Sequence, residues 1–168
     1  TTCNFKCSYC FPGCNDGKYR WPIGEQIETI HKNLSYMFDV YKQYGKTKFS
    51  ILITGGEPTL WPELGNFVKY FKETYDARIS ISTNASRTLR WWKQHAHNFR
   101  SIGVSVHNEE VDIEHTIEVL DWIYLNTETA VHAAVLMDSK NWDNCVSIVN
   151  RLKNHPIPWL LRLREVIE

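Results

Sequence analysis

The sequence lacks any long apolar run. No stretch reaches the roughly 18 apolar residues that mark a membrane-spanning helix, so no such helix is predicted. An excess of charge of either sign is also missing, because 19 Lys and Arg balance 19 Asp and Glu. A neutral chain generates no overall field that would attract nucleic acid or an anionic membrane surface. Neither a membrane nor a nucleic acid is therefore an expected partner.

A paired set of cysteines is missing too. The chain has five Cys, an odd number, and three of them fall close together near its start, which is not the pattern of a secreted disulfide framework. Cysteine use of this kind favours a reducing compartment, and we expect the protein in the cytoplasm. The 168 residues suffice for one domain with a hydrophobic core, and an aromatic content of 13% is not that of a disordered chain.

The first cysteines form the most informative motif of the chain. Cys3, Cys7 and Cys10 have the spacing C-x3-C-x2-C, and Tyr9 stands directly before the last thiol. Thiolates this close on one loop can converge on a soft metal centre. Three protein ligands suit a [4Fe–4S] cluster, in which one iron would lack a protein ligand and could bind a small molecule.

Other interpretations of these thiols stay open from the residues alone. Cys14 could be a fourth ligand, either of a structural zinc site or of a ferredoxin-like electron-transfer cluster. The ferredoxin spacing is C-x2-C-x2-C-x3-C followed by Pro, whereas the first gap here is one residue longer and Asn15 follows Cys14. Cys7 and Cys10 could also form a redox pair, which would leave Cys3 without a role.

Short β-branched runs alternate with segments of helical periodicity along the rest of the chain. This βαβα order predicts a parallel sheet with right-handed crossovers. One helical stripe, for example, runs from Ile23 to Tyr41 with apolar residues spaced by three and four. No linker or second domain is evident. The predicted strands are residues 48–53, 78–82, 101–106, 129–136 and 159–166.

Unusual polar segments follow three of the predicted strands. Gly55-Gly56-Glu57-Pro58 comes after the first strand, Thr83-Asn84 after the second and His107-Asn108 after the third. In parallel sheets and barrels, ligands bind at the carboxyl ends of the strands. These segments and the cysteine loop should therefore converge on one rim.

Alternation along the strands adds a second expectation. Ser80, Ser82 and Asn84 share one face, opposite Ile79 and Ile81. The apolar face should meet the helices, so the polar face should line the interior of a barrel. At least one arginine of the last strand is predicted to point inward for the same reason. In that strand, Arg162 and Arg164 oppose Leu161 and Leu163.

Together these motifs resemble those of the radical S-adenosylmethionine (radical SAM) superfamily. The segment from Cys3 to Cys10 is similar to the family's cluster motif, and Gly55-Gly56-Glu57-Pro58 is similar to its GGEP element. Residues 160–166 resemble the sixth strand of the family's barrel. The resemblance implies a partial (β/α)6 TIM-like barrel of parallel strands with its first strand largely missing. Residues 1–168 are then expected to be a radical SAM core domain truncated at both ends.

The resemblance also implies a set of site residues. Cys3, Cys7 and Cys10 would hold the [4Fe–4S] cluster, and S-adenosylmethionine would chelate the fourth iron. Arg164, nearer the carboxyl end of its strand than Arg162, is the arginine expected to face the cofactor. The other implied cofactor contacts are Tyr9 near the adenine, Gly55, Gly56 and Glu57 at the methionine end, and Ser82, Asn84 and Ser105 near the ribose or carboxylate.

The implied function is that of an enzyme. The reduced cluster would pass one electron to the sulfonium, giving methionine and a 5′-deoxyadenosyl radical that abstracts hydrogen from a substrate. A peptide, a nucleotide or another small metabolite is equally open as that substrate, and a one-electron donor such as flavodoxin or ferredoxin is an implied partner. The alternative function is a ferredoxin-like electron carrier, which would have no use for the GGEP element.

Overall fold

A computed structural model describes residues 2–10 and 20–163 of the chain. Helices and strands alternate in it, as the sequence predicts. The strands are β1 (Ser50–Ile53), β2 (Arg78–Thr83), β3 (Ser101–Val106), β4 (Ala130–Met137) and β5 (Trp159–Leu163). The helices are α1 (Glu25–Gln43), α2 (Leu64–Tyr75), α3 (Leu89–His95), α4 (Ile113–Asn126) and α5 (Trp142–Leu152).

All five strands join one sheet in the order β1-β2-β3-β4-β5, and every neighbouring pair is parallel. The prediction of a parallel α/β architecture is therefore confirmed. Within the described residues the sheet is open, with β1 and β5 at its two edges. This arrangement is consistent with a partial TIM-like barrel.

The two faces of the sheet differ as the alternation predicts. Ile79, Ile102 and Val104 point to the outer face and are almost completely buried beneath the helices. Ser80 and Ser101 are register partners on the inner face, and the Ser101 hydroxyl donates to that of Ser80 at 2.7 Å. Apolar burial on the outer face stabilises the sheet, while the inner face is left with hydrogen-bonding groups.

Some boundaries differ from the sequence-based ones. The first helix begins at Glu25, so Ile23 of the predicted stripe precedes it, and Ile23 is largely exposed. After α3, a short 3-10 turn at Ala96–Asn98 leads into β3. Arg164 lies outside the described residues. In the part of the chain that the structure describes, no helix is both long and apolar enough to span a lipid bilayer.

Candidate functional site

The carboxyl ends of the strands and the cysteine loop enclose a cavity of about 240 Å³. Most of the residues implicated by the sequence border it, although they come from distant parts of the chain. A larger cavity of about 520 Å³ lies at the opposite end of the sheet, but none of the cysteines that the structure describes lines it. The predicted site residues that line the smaller cavity are Cys3, Cys7, Tyr9, Cys10, Gly55, Gly56, Ser82, Asn84 and Ser105.

The three cysteines of the loop are not joined in disulfides, and they line this same cavity. Cys7 is buried, whereas Cys3 and Cys10 are partly exposed, and the Cys10 amide donates to the Cys7 carbonyl at 3.0 Å. Burial raises the pKa of the Cys7 thiol to about 11, against a hydrogen bond with Tyr9 that lowers it. A metal centre would have to displace that proton, as thiolate ligation generally requires.

The donor set fits a cluster better than a single ion. Among residues 2–10 and 20–163, no group of three His, Cys, Asp or Glu side chains is gathered closely enough to hold one metal ion. A four-iron cluster places its thiolates around a larger body, and three thiols around one cavity suit that geometry. Cys14, the possible fourth ligand, lies outside the described residues. The remaining thiol, that of Cys145, is fully buried on α5 and does not line the cavity.

Hydrogen bonds from the strand ends hold the cysteine loop in place. The Glu57 amide donates to the Thr2 carbonyl at 3.1 Å. At the other end of the loop, the amide and the hydroxyl of Ser8 donate to the two carboxylate oxygens of Glu109, at 2.6 and 2.5 Å. The loop is therefore fastened to both sides of the rim.

The two glycines of the GGEP element adopt backbone conformations with positive φ angles, which favour glycine. Gly55 and Gly56 have φ angles of 93° and 49°, a region that side chains disfavour. The turn brings their backbone to the cavity wall. Pro58 then begins a short 3-10 turn, Pro58–Leu60, that leads away from the rim.

Glu57 has a different environment from the one expected for a cofactor contact. Its side chain has no exposed surface and does not border the cavity. The carboxylate accepts hydrogen bonds from the amide and hydroxyl of Thr59, the hydroxyl of Thr83 and the amide of Asn84, at 2.6 to 3.0 Å. These donors occupy both oxygens, so the carboxylate joins two turns instead of facing the cavity.

His107 is a cavity residue that was not included in the predicted site. Its Nδ1 lies 2.9 Å from the Tyr9 hydroxyl, and its ring meets Phe5 edge to face. Burial lowers the pKa of His107 from its ordinary value, partly opposed by Glu109. The sequence carries a signal for this residue, because His107 comes two residues after Ser105 and continues the polar alternation just beyond the end of β3.

The last strand contributes one described arginine. Arg162 pairs in register with Leu136, and partners in a parallel sheet point to the same face. Because Leu136 lines the cavity, Arg162 lies on the inner face, with an exposed side chain. For the other arginine, Arg164, the inward orientation stays a prediction.

Comparison with known proteins gives independent information. A family model described as the radical SAM superfamily matches residues 1–158. A GTP 3′,8-cyclase of Haemophilus ducreyi is 32% identical over 111 residues, which are 66% of this chain and 30% of that protein. An S-adenosylmethionine-dependent nucleotide dehydratase of a Fibrobacter species is 34% identical over 106 residues, which are 62% of this chain and 31% of that protein.

A protein of the latter name from a Thermoplasmatales archaeon is 31% identical over 90 residues, which are 54% of this chain and 28% of that protein. The chain thus matches about 30% of the length of these curated relatives. The family match is much more extensive and includes the cysteine loop, the GGEP turn and the carboxyl ends of β1 to β4. This chain therefore belongs to the radical SAM superfamily, whose enzymes use a [4Fe–4S] cluster and S-adenosylmethionine.

Proposed function

We propose that this chain is the core of an enzyme that binds a [4Fe–4S] cluster through Cys3, Cys7 and Cys10 and cleaves S-adenosylmethionine. The observation that carries the proposal is the convergence of these thiols and the Gly55-Gly56 turn on one cavity. When bound, the cluster and S-adenosylmethionine together supply a 5′-deoxyadenosyl radical that abstracts hydrogen from the substrate.

The residues of the chain bind and orient these groups. The backbone at Gly55 and Gly56 can approach the methionine end closely because neither residue carries a side chain. Ser82 and Ser105, on neighbouring strands of the inner face, offer hydroxyl groups to the ribose or carboxylate. Tyr9, fixed by His107, supplies an aromatic surface for the adenine. Together they keep water from the reacting atoms.

A nucleotide is the proposed substrate class. The names of the relatives from Haemophilus ducreyi and Fibrobacter support it, since one is a GTP cyclase and the other a nucleotide dehydratase. Arg162 supports it further, because a guanidinium on the inner face can pair bidentately with phosphate oxygens. The proposed electron donor is a flavodoxin or a ferredoxin, and the proposed compartment is the reducing cytoplasm, where partly exposed thiols such as Cys3 stay reduced.

The test begins with anaerobic reconstitution of the purified protein. We expect roughly four irons per chain, and loss of the cluster in Cys3→Ala, Cys7→Ala and Cys10→Ala. Cys145→Ala is the matched control, since this buried thiol lies away from the cavity. A Cys14→Ala variant should also keep its iron. If Cys14→Ala loses the cluster as completely as Cys7→Ala, Cys14 is a fourth ligand and the result favours the ferredoxin-like electron carrier.

Cofactor cleavage is the second stage of the test. Reduced, reconstituted protein should release 5′-deoxyadenosine from S-adenosylmethionine, and the correct substrate should accelerate the release. A panel of nucleoside triphosphates, nucleosides and peptides separates the substrate classes. Acceleration by peptides alone would contradict the nucleotide assignment, and absence of 5′-deoxyadenosine under every condition would contradict the proposed function.

A further inference from the structure

The buried carboxylate of Glu57 divides its hydrogen bonds unequally. Oε1 accepts three of them, from the Thr59 amide at 3.0 Å, the Thr59 hydroxyl at 2.6 Å and the Thr83 hydroxyl at 2.7 Å. Oε2 accepts one, from the Asn84 amide at 2.6 Å. Oε2 alone thus connects the Glu57 side chain to the Asn84 amide.

Asn84 carries the connection onward to the cysteine loop. Its Nδ2 donates to Asn4 Oδ1 at 3.0 Å and lies 3.9 Å from the sulfur of Cys3. Its Oδ1 accepts from the Ser86 amide at 3.0 Å, which fixes the orientation of the carboxamide. Glu57 reaches the same loop from its own backbone, because its amide donates to the Thr2 carbonyl.

These contacts join two parts of the cavity wall that have to be positioned relative to each other. The cysteine loop carries the thiols, and the Gly55-Gly56 turn would receive the methionine end of S-adenosylmethionine. Both Glu57 and Asn84 are more than nine-tenths buried, so solvent does not compete for their bonds. Charge-assisted bonds to a buried carboxylate are among the stronger ones in proteins.

We propose that Glu57 and Asn84 form a positioning relay that fixes Cys3 and Asn4 relative to the Gly55-Gly56 turn. The relay sets the separation between a cluster held by the loop and S-adenosylmethionine held by the turn, and to this extent it rests on the proposed function. The Glu57 side chain has no exposed surface and does not line the cavity, so it cannot touch the reacting atoms. Glu57 is accordingly a positioning residue.

Glu57→Gln breaks the relay selectively. Glutamine has nearly the same shape, and its oxygen can keep the three bonds that Oε1 accepts. Its amino group then occupies the place of Oε2 and meets the Asn84 amide, donor against donor. The turn keeps its hydrogen bonds from Thr59 and Thr83, while the hydrogen bond from the Asn84 amide is lost.

Asn84→Asp breaks the next connection. The aspartate keeps an oxygen for the Ser86 amide but presents its second oxygen, instead of an amino group, to Asn4 Oδ1 and the Cys3 sulfur. The matched controls are Glu73→Gln and Asn126→Asp, the same chemical changes at exposed positions on α2 and α4.

Hydrogen exchange on the cluster-free protein tests the relay without any cofactor. Each relay variant loses one hydrogen bond and brings two like groups together, a charge-assisted bond in Glu57→Gln and a neutral one in Asn84→Asp. We expect roughly tenfold faster exchange of the amides in residues 2–10 for both relay variants, with wild-type exchange in both controls. The same protein after reconstitution gives a second measurement. Addition of S-adenosylmethionine should change the electron paramagnetic resonance spectrum of the reduced wild-type cluster, and this change should be reduced in both relay variants at equal iron content.

The outcomes distinguish a failure of the relay from a failure of the proposed function. If both relay variants match the wild type in exchange and in spectral response, the relay is wrong while the proposed function stands. If the wild-type spectrum itself does not respond, the proposed function fails, and hydrogen exchange still decides the relay. Should Glu57→Gln unfold, Asn84→Asp provides the same two measurements.

Discussion

The Tyr9 hydroxyl and Nδ1 of His107 lie 2.9 Å apart and join the cysteine loop to the end of β3. Burial lowers the pKa of His107 below its ordinary value of 6.5. The folded protein therefore holds this imidazole neutral under conditions in which the unfolded chain already binds a proton.

This relationship predicts a pH dependence of stability. As the pH falls below about 6.5, protonation of His107 favours the unfolded chain, so the free energy of unfolding should decrease. His107→Phe removes this contribution and should flatten the decrease, as measured by urea unfolding between neutral and mildly acid pH. His31 and His95, whose pKa values burial also lowers, should maintain a residual slope. Equal slopes in wild type and variant would contradict the assignment.

Glu57→Ala should destabilise the fold. The substitution leaves four buried donors from Thr59, Thr83 and Asn84 without their acceptor, and we expect a loss of roughly 3 kcal/mol or more in the free energy of unfolding. Chemical denaturation measures the loss. Glu73→Ala is the control, because its carboxylate is exposed on α2 and should change stability little. A loss no larger than that of the control would refute the interpretation of this network.

Gly103→Ala should be costly only while His132 is present. A β-carbon at position 103 would come within 3.0 Å of both Cε1 and Nε2 of the His132 ring on the neighbouring strand. Overpacking of this kind costs about 1–3 kcal/mol. In a His132→Ala background the space is free, so the same substitution should be nearly neutral. A double-mutant cycle measures the coupling, and additive effects would show that the ring does not occupy this space.

Arg162→Met should lower cofactor cleavage or substrate turnover while the iron content stays normal. The reason is that Arg162 shares the inner face with cavity-lining Leu136, where it can pair with an anionic group. Arg100→Met, at the opposite end of the sheet, is the control and should behave like the wild type. Unchanged kinetics in Arg162→Met would show that this arginine binds neither the cofactor nor the substrate.

The architecture could be predicted because it depends on repeated patterns. Alternation along β2 distinguishes buried Ile79 and Ile81 from the serines between and beyond them, and a change to polar residues marks the ends of three predicted strands. The environment of Glu57 could not be predicted in this way. Its burial depends on Thr83 and Asn84, which lie far along the chain, and no local pattern reports such a contact.

The two hydrogen bonds from Ser8 to Glu109 make the order of the cysteine loop depend on the fold of the chain itself. Small zinc domains stay unfolded until their ion binds, because nothing else organises their ligands. Here carboxylate, amide and phenol groups already arrange the segment that bears the thiols. Much of the entropy cost of ordering this loop therefore belongs to the folding of the chain, so a group bound by the thiols would meet an ordered segment.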